Sequence, residues 1–168
     1  MRIDNLNKQL AKIFHQDKIK CSFVDFEAYT DGSCKRIDGV DYVGYGIVIL
    51  KSGEVIEQIA RTINNDFYKQ SYQLGGEVKA VMETIKWCEE RNIQEIVISH
   101  DLAMLEAWAR DRNKAKVSIS KAYKGFMRKS NVDVIWNKVK SHNGDKYNHM
   151  ADKLAKKGSK LLINNKEE

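Results

Sequence analysis

The apolar residues of this 168-residue chain change their period near Glu77, and that change restricts the fold more than any other feature. Before it, apolar residues alternate or run together in short stretches bounded by turn formers. After it they recur every three or four positions. The first pattern belongs to strands and the second to helices. Phe23 to Tyr29 reads as a strand, with Asp31-Gly32-Ser33 as the turn that leaves it. Residues 42–50, YVGYGIVIL, give a second strand, Lys51-Ser52-Gly53-Glu54 a turn, and Val55 to Ile63 a third strand. Connections this short make the three strands antiparallel neighbours.

Beyond the switch, Val78, Val81, Met82, Ile85 and Cys88 predict an amphipathic helix over 77–91 that opens at Glu77. Glu95 to Ser99, centred on Ile96-Val97-Ile98, reads as a short buried strand. Helices are expected at 102–110 and 119–129, a fifth strand from Val132 to Val139, and a closing helix from Lys146 to Leu162. Three strands, then helix, strand, helices, strand and helix make an α/β fold: a five-stranded mixed sheet, three antiparallel strands followed by two parallel, flanked by helices. Ile3, Leu6, Leu10, Ile13 and Phe14 fall at helical spacing, so residues 1–20 are expected to form a short helical extension and 21–168 a single domain.

No run approaches the roughly 20 apolar residues of a membrane span, and the opening Met1-Arg2-Ile3-Asp4-Asn5-Leu6 is too polar for a secretory signal. A cytoplasmic location with no membrane partner is expected. Cys21, Cys34 and Cys88 are odd in number and lack metal-binding spacing, which leaves them as reduced thiols. The net charge of +6 is unevenly placed: Arg110 to Lys140 holds ten Lys or Arg against the two acids Asp111 and Asp133. Such a face suits a polyanion, most often nucleic acid, and equally a plain Lys-rich surface.

Four acids lie beside the ends of apolar segments: Asp31, Glu77, Asp101 and Asp152. Adjacent parallel strands would bring Asp31 and Asp101 to one edge of the sheet. Glu77 and Asp152 each sit near a helix start, where an acid also offsets the macrodipole.

The strings around these acids, Tyr29-Thr30-Asp31-Gly32-Ser33, Gly76-Glu77-Val78-Lys79-Ala80 and Val139-Lys140-Ser141-His142-Asn143-Gly144 through Asn148 to Ala151-Asp152-Lys153-Leu154-Ala155, resemble type 1 ribonuclease H over residues 22–162. The match is to bacterial members without the extended basic helix. The resemblance implies a five-stranded mixed sheet and an endonuclease that cuts the RNA strand of RNA–DNA hybrids, removing primers and R-loops. Such hydrolysis is served by two Mg²⁺ ions about 4 Å apart, with Mn²⁺ possible, and hard cations take oxygen ligands. Carried over, Asp31 bridges both ions, Glu77 and Asp101 complete one site, and Asp152 holds the ion near the attacking water. His142 assists proton transfer or product release, as its near-neutral intrinsic pKa allows. Substrate contacts are implied at Gly32, Ser33, Cys34, Gln73 and Asn148, with Lys121 and Lys124 on backbone phosphates, and the protein is expected to be a monomer.

Two stretches depart from the family pattern. Tyr72-Gln73-Leu74-Gly75-Gly76 stands where many relatives carry paired Asn residues, and Asp101 lies between His100 and Leu102 rather than before Ser. His100 reads as an exposed residue at a strand end, and Trp108 as core. Two other readings remain: a nuclease of the same fold acting on DNA, and a nucleic-acid-binding module without catalysis.

Overall fold

The computed structural model describes residues 24–140 and 144–161. The expected helix in residues 1–20, Cys21, Phe23 and His142 lie outside the described residues. Strand β1 spans Phe26–Ile37, β2 Val40–Lys51 and β3 Glu54–Thr62; helix α1 spans Asp66–Lys69 and α2 Tyr72–Glu90. They are followed by β4 (Glu95–His100), α3 (Ala103–Ala109), α4 (Ser118–Lys129), β5 (Asp133–Lys138) and α5 (Lys146–Gly158). The sheet order is β3-β2-β1-β4-β5. β1, β2 and β3 pair antiparallel in turn, β4 adds parallel to β1, and β5 adds parallel to β4, as the sequence pattern predicts.

One element and two boundaries differ from expectation: α1, a single turn capped by the Asn65 side chain on the Phe67 N–H, has no counterpart in the sequence pattern. β1 does not end before Asp31; it runs on to Ile37, paired with β2 along its whole length. The chain reverses at Asp38 (φ 50°) and Gly39 (φ 79°), the paired positive values that a two-residue hairpin needs. Asp-Gly supplies them readily. The other boundary is that of α2, which begins at Tyr72, so Glu77 lies in its second turn rather than at its start. Gly75 and Gly76 suggest a helix break, each costing about 1 kcal/mol against alanine in a helix interior. Both are buried against neighbouring backbone, and tertiary packing overrides the propensity.

The sheet separates two apolar layers. On one side Ala28, Val43, Ile47 and Ile49 pack with Val78, Val81, Ile85 and Cys88 of α2, and with Leu105, Trp108, Ile119 and Tyr123 of α3 and α4. On the other, Tyr29, Val48 and Leu50 meet Ala151 of α5. Covering on both faces explains why β2 is a continuous apolar run rather than an alternating one. Each fully buried large aliphatic side chain contributes about 1.5–3 kcal/mol of transfer free energy. Trp108 is buried as expected and meets Tyr123 edge-on, with centroids 6.5 Å apart. Among the described residues no helix is long and apolar enough to cross a membrane.

Candidate metal centre

The site forms where the sheet changes from antiparallel to parallel, the kind of switch point at which open α/β sheets leave a crevice. β1 and β4 pair only from Glu27↔Val97 to Tyr29↔Ser99. Asp31 and Asp101 each lie two residues beyond that last pair, one on each wall of the opening. Asp31 stays in the β1–β2 ladder, opposite Gly46, while Asp101 has left β4.

Glu77 reaches the same opening from α2 because two glycines let backbone approach backbone. A Cβ on Gly32 would lie 2.5 Å from the Gln73 carbonyl oxygen, and one on Gly76 would lie 2.5 Å from that of Gly44. Neither position has room for a side chain. The outcome is that ligand oxygens of Asp31, Glu77 and Asp101 all lie within 4.8 Å of one another.

Asp152 projects from α5, beyond this trio. Its Oδ2 accepts a hydrogen bond from Lys156 Nζ at 2.8 Å, one helical turn on. Its charge still contributes to raising the Asp31 pKa, so it belongs to the same electrostatic neighbourhood. Asn148, a turn earlier on α5, donates its backbone N–H to the cap Asp145 at 2.9 Å.

The electrostatics of the trio follow from crowding carboxylates in a dry place. Burial pushes Asp31 up to about 6, and the charges of Asp101 and Asp152 push the same way. The Gly32 N–H, 2.8 Å from Asp31 Oδ1, and the Glu77 carboxyl oppose the rise. Glu77, only 2% exposed, is raised well above the carboxylate range by burial and then by Asp31. Its Oε2 is buried without a hydrogen-bond partner. Acids held this close need either protons or a cation, and a buried carboxylate oxygen without a donor is costly. An all-oxygen donor set with one oxygen lacking a partner fits a hard divalent ion, which takes oxygen ligands.

Glu77 and Asp101 open onto a hollow of 330 Å³ whose other walls are Gln73, Leu74, Leu102 and Met104. Gly32 is buried under α2, whereas Ser33 and Cys34 are half-buried farther along β1. Lys121 and Lys124 line a separate hollow of 440 Å³ with Lys114 and Arg128. Lys124 is ion-paired with Asp111 and donates to the Asn113 carbonyl, so part of its charge is used inside the fold. Lys121 is exposed.

His100 departs from expectation. It is fully buried, with Nδ1 3.0 Å from the Leu102 carbonyl oxygen and its ring edge-on to Trp136. A strand that adds β5 on its outer side keeps its terminal residue covered. Lys156 was not singled out by the sequence pattern, although its i,i+4 spacing from Asp152 is the signal that could have found it.

The family model described as RNase H matches residues 24–160. The fold is shared with RNase H1 from the halophilic archaeon Halobacterium salinarum NRC-1, which is 18% identical, with 79% of this chain and 96% of that chain covered and a TM-score of 0.62. It is shared also with the N-terminal RNase H domain of a Mycobacterium tuberculosis protein, solved as a fusion with maltose-binding protein (13% identical, 83% and 97% covered, TM-score 0.64). A third is LC11-RNase H1, solved in complex with an RNA/DNA hybrid (14% identical, 82% and 99% covered, TM-score 0.65). No curated protein sequence matches the chain.

Proposed function

Because this chain belongs to the RNase H family, we propose that it is an endonuclease hydrolysing the RNA strand of RNA–DNA hybrids with divalent ions, Mg²⁺ first and Mn²⁺ as a substitute. The observation that carries the reading is the trio Asp31, Glu77 and Asp101, with the Glu77 oxygen that no protein donor satisfies. The complex of LC11-RNase H1 with a hybrid supports the substrate class.

Divalent ions at such a site supply charge compensation at the phosphate and a nucleophile drawn from water at neutral pH. The chain's own residues do the rest. Asp31, pinned by the Gly32 N–H, would be the ligand shared between the ions. Glu77 and Asp101 would complete one ion site, and Asp152, which accepts from Lys156, would help to hold a second ion. His142 carries a proton between the site and solvent. Gly32, Ser33, Cys34, Gln73 and Asn148 hold the strand near the acids, and Lys121 and Lys124 take phosphates farther out. The protein works in the cytoplasm as a monomer.

The test compares cleavage of labelled RNA–DNA hybrid, double-stranded RNA and duplex DNA with Mg²⁺, with Mn²⁺ and in excess chelator. Metal-dependent cuts confined to the RNA of the hybrid are expected. Preference for duplex DNA would move the substrate while keeping the chemistry. Full activity in chelator would overturn the metal mechanism, and hybrid binding without cleavage would leave only a binding module.

A further inference from the structure

Beside the acids the chain departs from what a polyanion site ordinarily shows. The hollow onto which Glu77 and Asp101 open has one neutral hydrogen-bonding side chain, Gln73, and three apolar ones, Leu74, Leu102 and Met104. Leu74 and Leu102 lean on the main core and are only partly covered. Met104 is 41% exposed, among the large apolar side chains left most open in the described residues. The hollow's 330 Å³ lies near the lower end of the ~300–1,000 Å³ typical of small-ligand pockets, so it holds about one nucleoside rather than a helix or strand of a partner.

We propose that Leu74, Leu102 and Met104 form a dry wall against which the sugar edge of the nucleotide beside the phosphate at the carboxylate trio packs. The inference rests on the functional reading above and deepens it by naming how the strand is gripped. Continuity argues for the occupant: the hollow shares Glu77 and Asp101 with the acidic centre, so a strand whose phosphate lies at those acids passes beside it. A sugar edge offers C–H surface that a leucine or methionine can cover, while base edges are distinguished by donors and acceptors that these side chains cannot match. The grip is therefore indifferent to base sequence. It also releases no counterions, because an apolar contact neutralises no phosphate.

That last property separates the wall from a phosphate contact. Binding of a fluorescent RNA–DNA hybrid by the full chain carrying Asp31→Asn, which blocks turnover, is followed by anisotropy with Mg²⁺ across a range of KCl concentrations. Adding Met104→Gln, a change of similar length at an exposed position, is expected to weaken binding about five- to tenfold at every salt concentration with the slope of log K against log[salt] unchanged. Met104→Leu is expected to stay within about twofold of the parent. Equal weakening is expected for hybrids of different sequence. A Met104→Gln protein that binds as tightly as the parent, changes the slope or discriminates among sequences would overturn the wall while leaving hybrid cleavage standing. Failure of the parent to bind or cleave hybrid would sink the functional reading, and the wall with it.

Discussion

Asp31 and Glu77 are acids in a place that resists their ionisation, and the direction of that resistance is measurable. Both pKa values in the fold lie above their ordinary ones, Asp31 moving from 3.8 to about 6. Without a cation, the folded protein therefore holds protons that the unfolded chain has released. The stabilising contribution is complete below about pH 4 and is lost as pH rises through about 6. In chelator, Asp31→Asn should gain stability relative to the parent over that interval, read as the difference in denaturant midpoint at pH 4, 5, 6 and 7. Mg²⁺ should raise the parent's melting temperature more at pH 7.5 than at pH 5, since proton and cation compete for the same oxygens. Asp31→Asn should keep the fold and abolish cleavage. Equal Mg²⁺ stabilisation of that variant and the parent would count against Asp31 as a ligand.

Elements meet at this site through glycines, and the same substitution should act with opposite sign in two helices. Gly76→Ala in α2 puts a Cβ 2.5 Å from the Gly44 carbonyl oxygen and 2.8 Å from Gly32 Cα, backbone that has nowhere to go. A loss of about 1–3 kcal/mol or more is expected in urea unfolding, as for overpacked cores, with cleavage falling because Glu77 moves with the helix. Gly125→Ala in α4 meets nothing within 4 Å and should stabilise by about 0.5–1 kcal/mol. The length of α2 escaped the sequence pattern for the same reason. Gly75-Gly76 carries no local instruction to be helical, and only the neighbouring backbone gives those residues a purpose there. Local sequence does not place the β1 hairpin, because Asp31-Gly32 and Asp38-Gly39 are chemically the same dipeptide. Pairing with β2 selects which one turns.

Across the whole molecule, the basic segment from Arg110 to Lys140 runs through α4 and β5, and its Lys114, Lys121, Lys124 and Arg128 line a hollow that shares no lining residue with the one beside the acids. Part of its charge is held internally: Asp111 binds Arg128 through both carboxylate oxygens and also takes Lys124. Lys121→Gln should weaken hybrid binding and lower the magnitude of the salt slope by about 0.9, the share of one phosphate contact on a duplex. No change in slope would show that this face does not touch the backbone.

Apart from the one-turn helix α1, sequence alone determined the element order, the antiparallel-to-parallel layout and four of the acids worth watching, because these follow from short-range periodicity and from strings of neighbouring residues. The two-sided cover of β2 was already written in its unbroken apolar run. Tertiary structure decided the rest. It drew Asp31, Glu77 and Asp101 within 4.8 Å and left Asp152 turned to Lys156. It buried His100 beneath Trp136 and put an apolar wall beside the acids. Each of these depends on which backbones can touch and how far two paired strands run before they part. Such distances join residues tens of positions apart, and no local pattern encodes them.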